Sequence, residues 1–179
     1  MNQGGQAADL HRRAKAGDLE AFDELLAPLI EPAFALAMAM LNDRGEAEDA
    51  VQEAALRTWQ KLARFRTGAN LRPWFLAIVA NQCRTVRRSR WWHVLRSSDV
   101  SAMRRHEMPE ANWGERIDLD AALGRLPKNQ LAALTLYYHL DLPVDEVARV
   151  LGCSPVAARQ RIHRALDSLR PGMTMEVNG

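Results

Sequence analysis

Apolar residues recur at intervals of three and four along almost the whole chain, and nowhere do apolar and polar residues alternate over the length of a strand. This periodicity predicts an all-α fold. Residues 18–27 and 29–41 form one or two amphipathic helices, with Pro28 and Pro32 starting or kinking the second. Asp43, with Glu46 three positions on, has the pattern of an N-cap and predicts a helix running to about Phe65. The loop RTGAN follows, and a further helix is expected from near Pro73 to about Arg90. Beyond it the stripe dissolves into LRSSDVSAMRRHEMPEANWGER, polar, mixed in charge and interrupted by a proline, which is the composition of a linker. Helical patterning resumes in IDLDAALGRL, in PKNQLAALTLYYHL led by Pro127, in the short PVDEVARVL, and after Ser154. The chain therefore divides into two small helical domains joined by a flexible linker: a first domain at 9–93, the linker at 94–115, a second domain at 116–170 and a tail at 171–179.

Turning each helix by about 100° per residue separates its faces. On the helix from Asp43, the residues Ala47, Val51, Ala54, Thr58, Leu62 and Phe65 fall on one side, the expected core face. Asp49, Gln52, Glu53, Leu56 and Gln60 fall on the other. A leucine among acids and amides is either a stray apolar residue on a solvated face or the anchor of a partner-binding patch whose carboxylates meet cations. On the helix after Pro73, the inward set is Phe75, Ile78, Val79, Cys83 and Val86, and the outward set is Ala77, Ala80, Asn81, Arg84, Arg87 and Arg88.

Charge sharpens this picture because it is sorted along the chain although the net value is only +2. Residues 43–53 carry Asp43, Glu46, Glu48, Asp49 and Glu53 against Arg44, whereas residues 84–96 carry Arg84, Arg87, Arg88, Arg90 and Arg96 with no acid. Different surfaces are thus expected to face different partners. Small residues at 77 and 80 would let a nucleic-acid strand approach, Asn81 offers a base edge both donor and acceptor, and the arginines suit phosphates. Trp91 and Trp92 follow within stacking reach of bases. The alternative for this segment is a solvated basic face ending in two core tryptophans. In the loop, Gly68 permits an unusual backbone angle and Asn70 can cap the next helix, so RTGAN is either a plain turn or a holder for a base extruded from the stack.

The segment VARVLGCSPVAARQRIHRALDSLR carries a denser local signal. Gly152 can take the left-handed conformation that ends a helix, Ser154 is a good N-cap and Pro155 suits the first helical position. Two helices joined by so tight a turn cross at a large angle, as in a helix-turn-helix. Ala158, Ile162, Ala165 and Leu169 form the buried stripe, leaving Val156, Arg159, Gln160, His163, Arg164 and Asp167 outward and Arg161 on the flank. This outward chemistry supplies donors for base edges and phosphates, which a plain helical hairpin does not require.

Cys83 and Cys153 are isolated and have no metal-ligand spacing, so neither a disulfide framework nor a zinc site is indicated, and a reducing cytoplasm fits best. Cys83 is expected in the core; Cys153, in the turn, is the more accessible thiol. The N-terminus lacks the pattern of a secretory signal, and PLIEPAFALAMAML is broken by two prolines and Glu31 short of a bilayer span, so no membrane insertion is expected.

In their order, DRGEAEDAVQEAALRTWQKL, FRTGAN, LRPWFLAIVANQCRTVRRSRWW and, beyond the linker, LPKNQLAALTLYYHLDLPVDEVARVLGCSPVAARQRIHRALDSLR resemble bacterial RNA polymerase sigma factors of the extracytoplasmic-function group in the sigma-70 family. The likeness covers about residues 10–170. It implies a first domain that clamps the polymerase core and opens the -10 promoter element, and a second that reads the -35 element. It assigns Asp49, Gln52, Glu53 and Leu56 to the β' coiled coil. Arg66, Asn70, Asn81, Arg84, Arg87 and Arg88 go to the -10 DNA, and Arg159, Gln160, Arg161, His163 and Arg164 to the -35 DNA. The implied partners are the RNA polymerase core, through its β' coiled coil and β flap, and promoter DNA; an anti-sigma protein is left open. No cofactor and no metal are implied. Two departures stand out: Thr85 replaces an acid frequent in the family, and Val156 and Ala157 replace a glycine-threonine pair.

Two rival readings remain at this point. A helix-turn-helix regulator acting without polymerase would need symmetric half-sites and would leave the acidic face idle. An enzyme would need a glycine-rich phosphate loop, metal spacing or a nucleophile with its base, none of which the sequence contains.

Overall fold

The computed structural model describes residues 3–66, 69–96 and 114–170, with the backbone alone at 3–7, 92–96 and 114–118. Most of the expected linker, Thr67 and Gly68 of the loop, the tail and the Trp92 side chain lie outside the described residues. Every regular element among those residues is helical, as the periodicity requires. The chain divides into two compact units, Met1–Ser89 and Arg90–Gly179.

The first unit is built on α1 (Gln3–Lys15), α2 (Leu19–Leu41), α3 (Arg44–Leu62) and α4 (Leu71–Arg96), the last turns of α4 falling beyond its boundary. α1 is not foreshadowed by the apolar periodicity, since its glycines and scattered charges give no clear stripe. α2 is one continuous helix rather than two, with Pro28 and Pro32 inside it. Each proline removes the N–H that would bond four residues back. The freed carbonyls belong to Glu24 and Pro28, both exposed, so the helix continues past them. At 23 residues α2 is long and apolar enough by composition to cross a membrane, contrary to the expectation that its prolines cut it short. Its Phe22, Leu26, Ala33, Leu36, Ala37 and Met40 are instead buried, and it packs against α1 and α3. Asp18 caps it, the Oδ1 accepting from the Ala21 N–H at 3.1 Å, and Asn42 closes it in the left-handed conformation.

α3 begins as expected, with Asp43 Oδ1 accepting from the Glu46 N–H at 2.9 Å. It ends at Leu62, three residues short of the expected Phe65, in a tight turn where the Arg64 and Phe65 N–H groups bond back to Lys61 and Leu62. All six predicted core residues are buried, Phe65 included. α4 starts at Leu71 rather than near Pro73, because Asn70 Oδ1 accepts from the Arg72 N–H at 3.1 Å, and it runs past Arg90 to Arg96. Full burial of side chains such as Phe75, Leu36 and Leu76 stabilises this unit by about 1.5–3 kcal/mol each.

The second unit comprises α5 (Gly114–Arg125), α6 (Lys128–Leu134), α7 (Val144–Leu151) and α8 (Pro155–Leu169). The expected single helix after Pro127 is interrupted: α6 passes into a wide π-type turn at Thr135–His139. There the Leu140 N–H bonds to the Thr135 carbonyl at 2.9 Å and the Leu142 N–H to that of Leu136 at 3.0 Å. Asp141 then takes φ +51°, turning the chain so that Leu140 and Leu142 are both buried. α8 packs on α5, α6 and α7, and its Ala165 and Leu169 join Leu126 and Leu134 in the core.

Candidate nucleic-acid and partner interfaces

The outer face of α3 follows from its core stripe. With Ala47, Val51, Ala54, Thr58 and Leu62 buried, Asp49, Gln52, Glu53 and Leu56 are left exposed, Leu56 at 60%. Glu53 already pairs with Arg57 at 2.7 Å, one turn along the same helix. An exposed pair of this kind is worth under about 1 kcal/mol, so the carboxylate is readily re-partnered. Arg57 opens a region the sequence reading passed over. Arg57, Lys61 and Arg64 lie at i, i+4 and i+7, all exposed, and exposed Arg66 continues the series. The outer surface of α3 is thus acidic in its first half and basic toward its end. The i, i+4, i+7 spacing of these cations is the sequence signal for this basic end.

α4 differs from its expected faces. Phe75, Ile78, Val79 and Cys83 are buried as expected, but Ala80 is fully buried too, with Leu76 and Gln82. Val86, expected inside, is only half-buried. α4 therefore buries more of its circumference than a surface helix does, and Ala80 leaves no path for an approaching strand. Burial pushes the Cys83 thiol up to about 11, where it is protonated and unreactive at neutral pH. Asn81, Arg87 and Arg88 are exposed, and Arg84 is half-buried. The Arg84 guanidinium donates to the Asn81 Oδ1, and the Thr85 hydroxyl donates to the Asn81 carbonyl at 3.1 Å. Asn81 thus shares its Oδ1 with Arg84 while the side chain stays exposed. Trp91 is exposed rather than a core residue.

At the α3–α4 turn the described residues Arg66, Ala69 and Asn70 are exposed, and the Ala69 N–H bonds to the Arg66 carbonyl at 3.1 Å. Phe65, at its base, is buried between the His11 ring, 5.3 Å away, and the Trp74 ring, 4.7 Å away. Asn70 acts as the expected cap.

In the second unit Gly152 sits at φ +61° and the Cys153 N–H reaches back to the Ala148 carbonyl at 3.0 Å, closing α7. Ser154 Oγ accepts from the Ala157 N–H at 3.2 Å, opening α8. The predicted stripe Ala158, Ile162, Ala165 and Leu169 is buried, and Arg159, Gln160, His163 and Arg164 are exposed. Arg161 is half-buried on the flank, and Cys153 is half-buried in the turn. Among the described residues, no group of three or more His, Cys, Asp and Glu side chains is placed to hold a metal ion.

Two family models match this chain, Sigma-70 region 2 over residues 26–93 and Sigma-70 region 4 over residues 116–169. It is 32% identical over 184 residues to the ECF RNA polymerase sigma factor ShbA of Streptomyces griseus, covering 90% of this chain and 92% of that protein. The chain belongs to the ECF sigma factors of the sigma-70 family. It is also 31% identical over 165 residues to the probable RNA polymerase sigma factor RfaY of Xanthomonas campestris, which matches 88% of this chain but of whose length this sigma factor spans only 41%. Among solved structures, the sigma factor RpoE in complex with the anti-sigma factor NepR from Bartonella quintana matches with a TM-score of 0.71 at 24% identity, over 87% of this chain and 98% of that one. CnrH in complex with the cytosolic domain of CnrY matches with a TM-score of 0.68 at 23% identity, over 94% and 97%. These two show likeness of fold. The region 2 match contains α3 and the candidate residues of α4, and the region 4 match contains α6, α7 and α8.

Proposed function

We propose that this sigma factor binds core RNA polymerase in the cytoplasm and directs it to promoters, reading the -10 element with residues 9–93 and the -35 element with residues 116–170. What carries the reading is that the acidic α3 face with Leu56, the Asn81 and arginine face of α4, and the arginine face of α8 are all exposed in stretches matched to regions 2 and 4. Asp49, Gln52, Glu53 and Leu56 grip the β' coiled coil, with Leu56 as the apolar anchor, and the second domain meets the β flap. Arg66, Asn70, Asn81, Arg84, Arg87 and Arg88 hold and open the -10 DNA. Arg159, Gln160, Arg161, His163 and Arg164 face the -35 DNA. Opening needs no nucleotide hydrolysis: contacts to extruded bases offset the lost pairing, a few kcal/mol per base. Bond-forming chemistry belongs to the polymerase. An anti-sigma protein is a further partner in this reading, supported by the fold shared with a sigma factor solved in such a complex.

The test is reconstitution of purified protein with core polymerase on a genomic DNA library, mapping transcript starts. Specific starts only in its presence are expected. Leu56→Glu should weaken core association about tenfold, the loss of one interface anchor. Arg159→Ala should leave core association intact and cost about 1–3 kcal/mol of -35 binding. Sequence-specific DNA binding with no polymerase association would instead favour a helix-turn-helix regulator and sink the reading.

A further inference from the structure

We infer that Lys15 and His11 of α1 are positioning residues for promoter opening, acting through Phe65 on the turn between α3 and α4. The inference rests on the -10 reading above. α1 precedes the stretch matched to region 2, and none of its side chains is among those placed against polymerase or DNA above.

The Lys15 Nζ donates to the Phe65 carbonyl, across 50 residues of chain. The His11 imidazole stacks on the Phe65 ring at 5.3 Å and 24°. Trp74 of α4 lies on the same ring at 4.7 Å. One buried residue is thereby held by α1 at both its carbonyl and its ring, and by α4 at its ring. Phe65 is the last core residue before the turn, and Trp74 stands on the first turns of the helix that Asn70 caps. Both ends of the turn that presents Arg66 and Asn70 are therefore tied to Phe65.

α1 is itself anchored. Ala14 is buried, and the Arg13 guanidinium donates to the Asp18 carboxylate at 2.8 Å, at the cap of α2. A charged donor on a carbonyl fixes that peptide plane, and with it the direction in which Arg66 leaves the core. A receptor for an extruded base works only if its donors stand in place beforehand, and small displacements of such groups cost up to about 100-fold in rate. Lys15 touches no DNA in this arrangement; its effect is on where the -10 residues stand.

The experiment uses holoenzyme of the full chain on a promoter recovered by transcript mapping. Permanganate reactivity of unpaired thymines follows opening of the duplex, and the same promoter carrying a pre-opened mismatch bubble bypasses it. Lys15→Met should slow duplex opening about tenfold while transcription from the bubble stays at the parent level. Lys15→Arg, which keeps a charged donor, should restore most of the rate. His11→Ser should slow opening, and His11→Phe, which keeps a stacking ring, should slow it less. Equal opening by Lys15→Met and parent overturns the inference. So does an equal deficit on duplex and bubble, which would place Lys15 in folding or polymerase binding, and so does a Lys15→Arg variant no better than Lys15→Met. If the parent holoenzyme opens no promoter, the -10 reading itself has failed, before any variant is compared.

Discussion

α8 and α4 are both arginine-rich helices proposed to meet DNA, yet they are built on opposite plans. α8 buries a single narrow stripe, Ala158, Ile162, Ala165 and Leu169, and each side chain placed on its outward face at 159, 160, 163 and 164 is exposed. α4 buries Phe75, Leu76, Ile78, Val79, Ala80, Gln82 and Cys83, a little over half its circumference in those turns, and has its first exposed residue at Asn81. The difference teaches where helical periodicity carries functional information. A helix covered on one side has one partner surface, and rotation finds it. A helix packed on several sides has small residues where neighbours come close, and a small residue looks the same in sequence whether it faces a neighbour or solvent.

The contrast is broken most directly by placing the same charge on each helix. Ala80→Glu should destabilise the first unit by about 3 kcal/mol or more, since a carboxylate with no room or partner enters the core. Val156→Glu, at a position 60% exposed on α8, should stay within about 0.5 kcal/mol in stability while weakening -35 binding by charge repulsion. Urea unfolding of the full chain measures both; similar small effects from the two variants would erase the distinction between the helices. A middle-sized effect probes the turn that lets α8 stand apart. Gly152→Val forces a β-branched residue into φ +61° and should cost the second unit about 1–2 kcal/mol, read as a lower midpoint for its transition alone.

The smallest effect concerns the joint between α1 and α2. The Asp18 carboxyl is held below the ordinary carboxylate range, first by the Ala21 N–H and then by Arg13. A depressed folded-state pKa contributes stability that is present above the unfolded value, about 3.9, and is lost as pH falls through the folded one. Asp18→Asn keeps a cap but loses the ion pair. The variant should therefore be slightly less stable at neutral pH, and its deficit should shrink as the acid limb is entered; a deficit unchanged by acid would show that the pair is not its source.

Much of the candidate site was legible because its signals are local. Asp43 with Glu46, and Gly152 with Ser154 and Pro155, act within one turn of chain, and the structure keeps each of them. The exposed face of α3 was legible for a related reason: acids and amides do not share a face with Ala47, Val51 and Ala54. The continuity of α2 was less legible, because whether a proline breaks a helix depends on what the freed carbonyls meet. The π-type turn at Thr135–His139 has no signature in TLYYH and follows from burying Leu140 and Leu142 together.

By itself, then, the sequence determined the helical class, the caps that begin α3, α4 and α8 and end α7, the stripe of α8 and the sorting of acids and arginines onto separate segments. These depend on neighbours three or four residues away, where the chain geometry is fixed. Only the tertiary structure decided that Ala80 is inside, that Lys15 meets the Phe65 carbonyl across 50 residues, and that His11, farther still along the chain, stacks on its ring. Contacts at that separation arise from how helices pack, and packing is set by all the side chains at an interface together rather than by the spacing within any one of them.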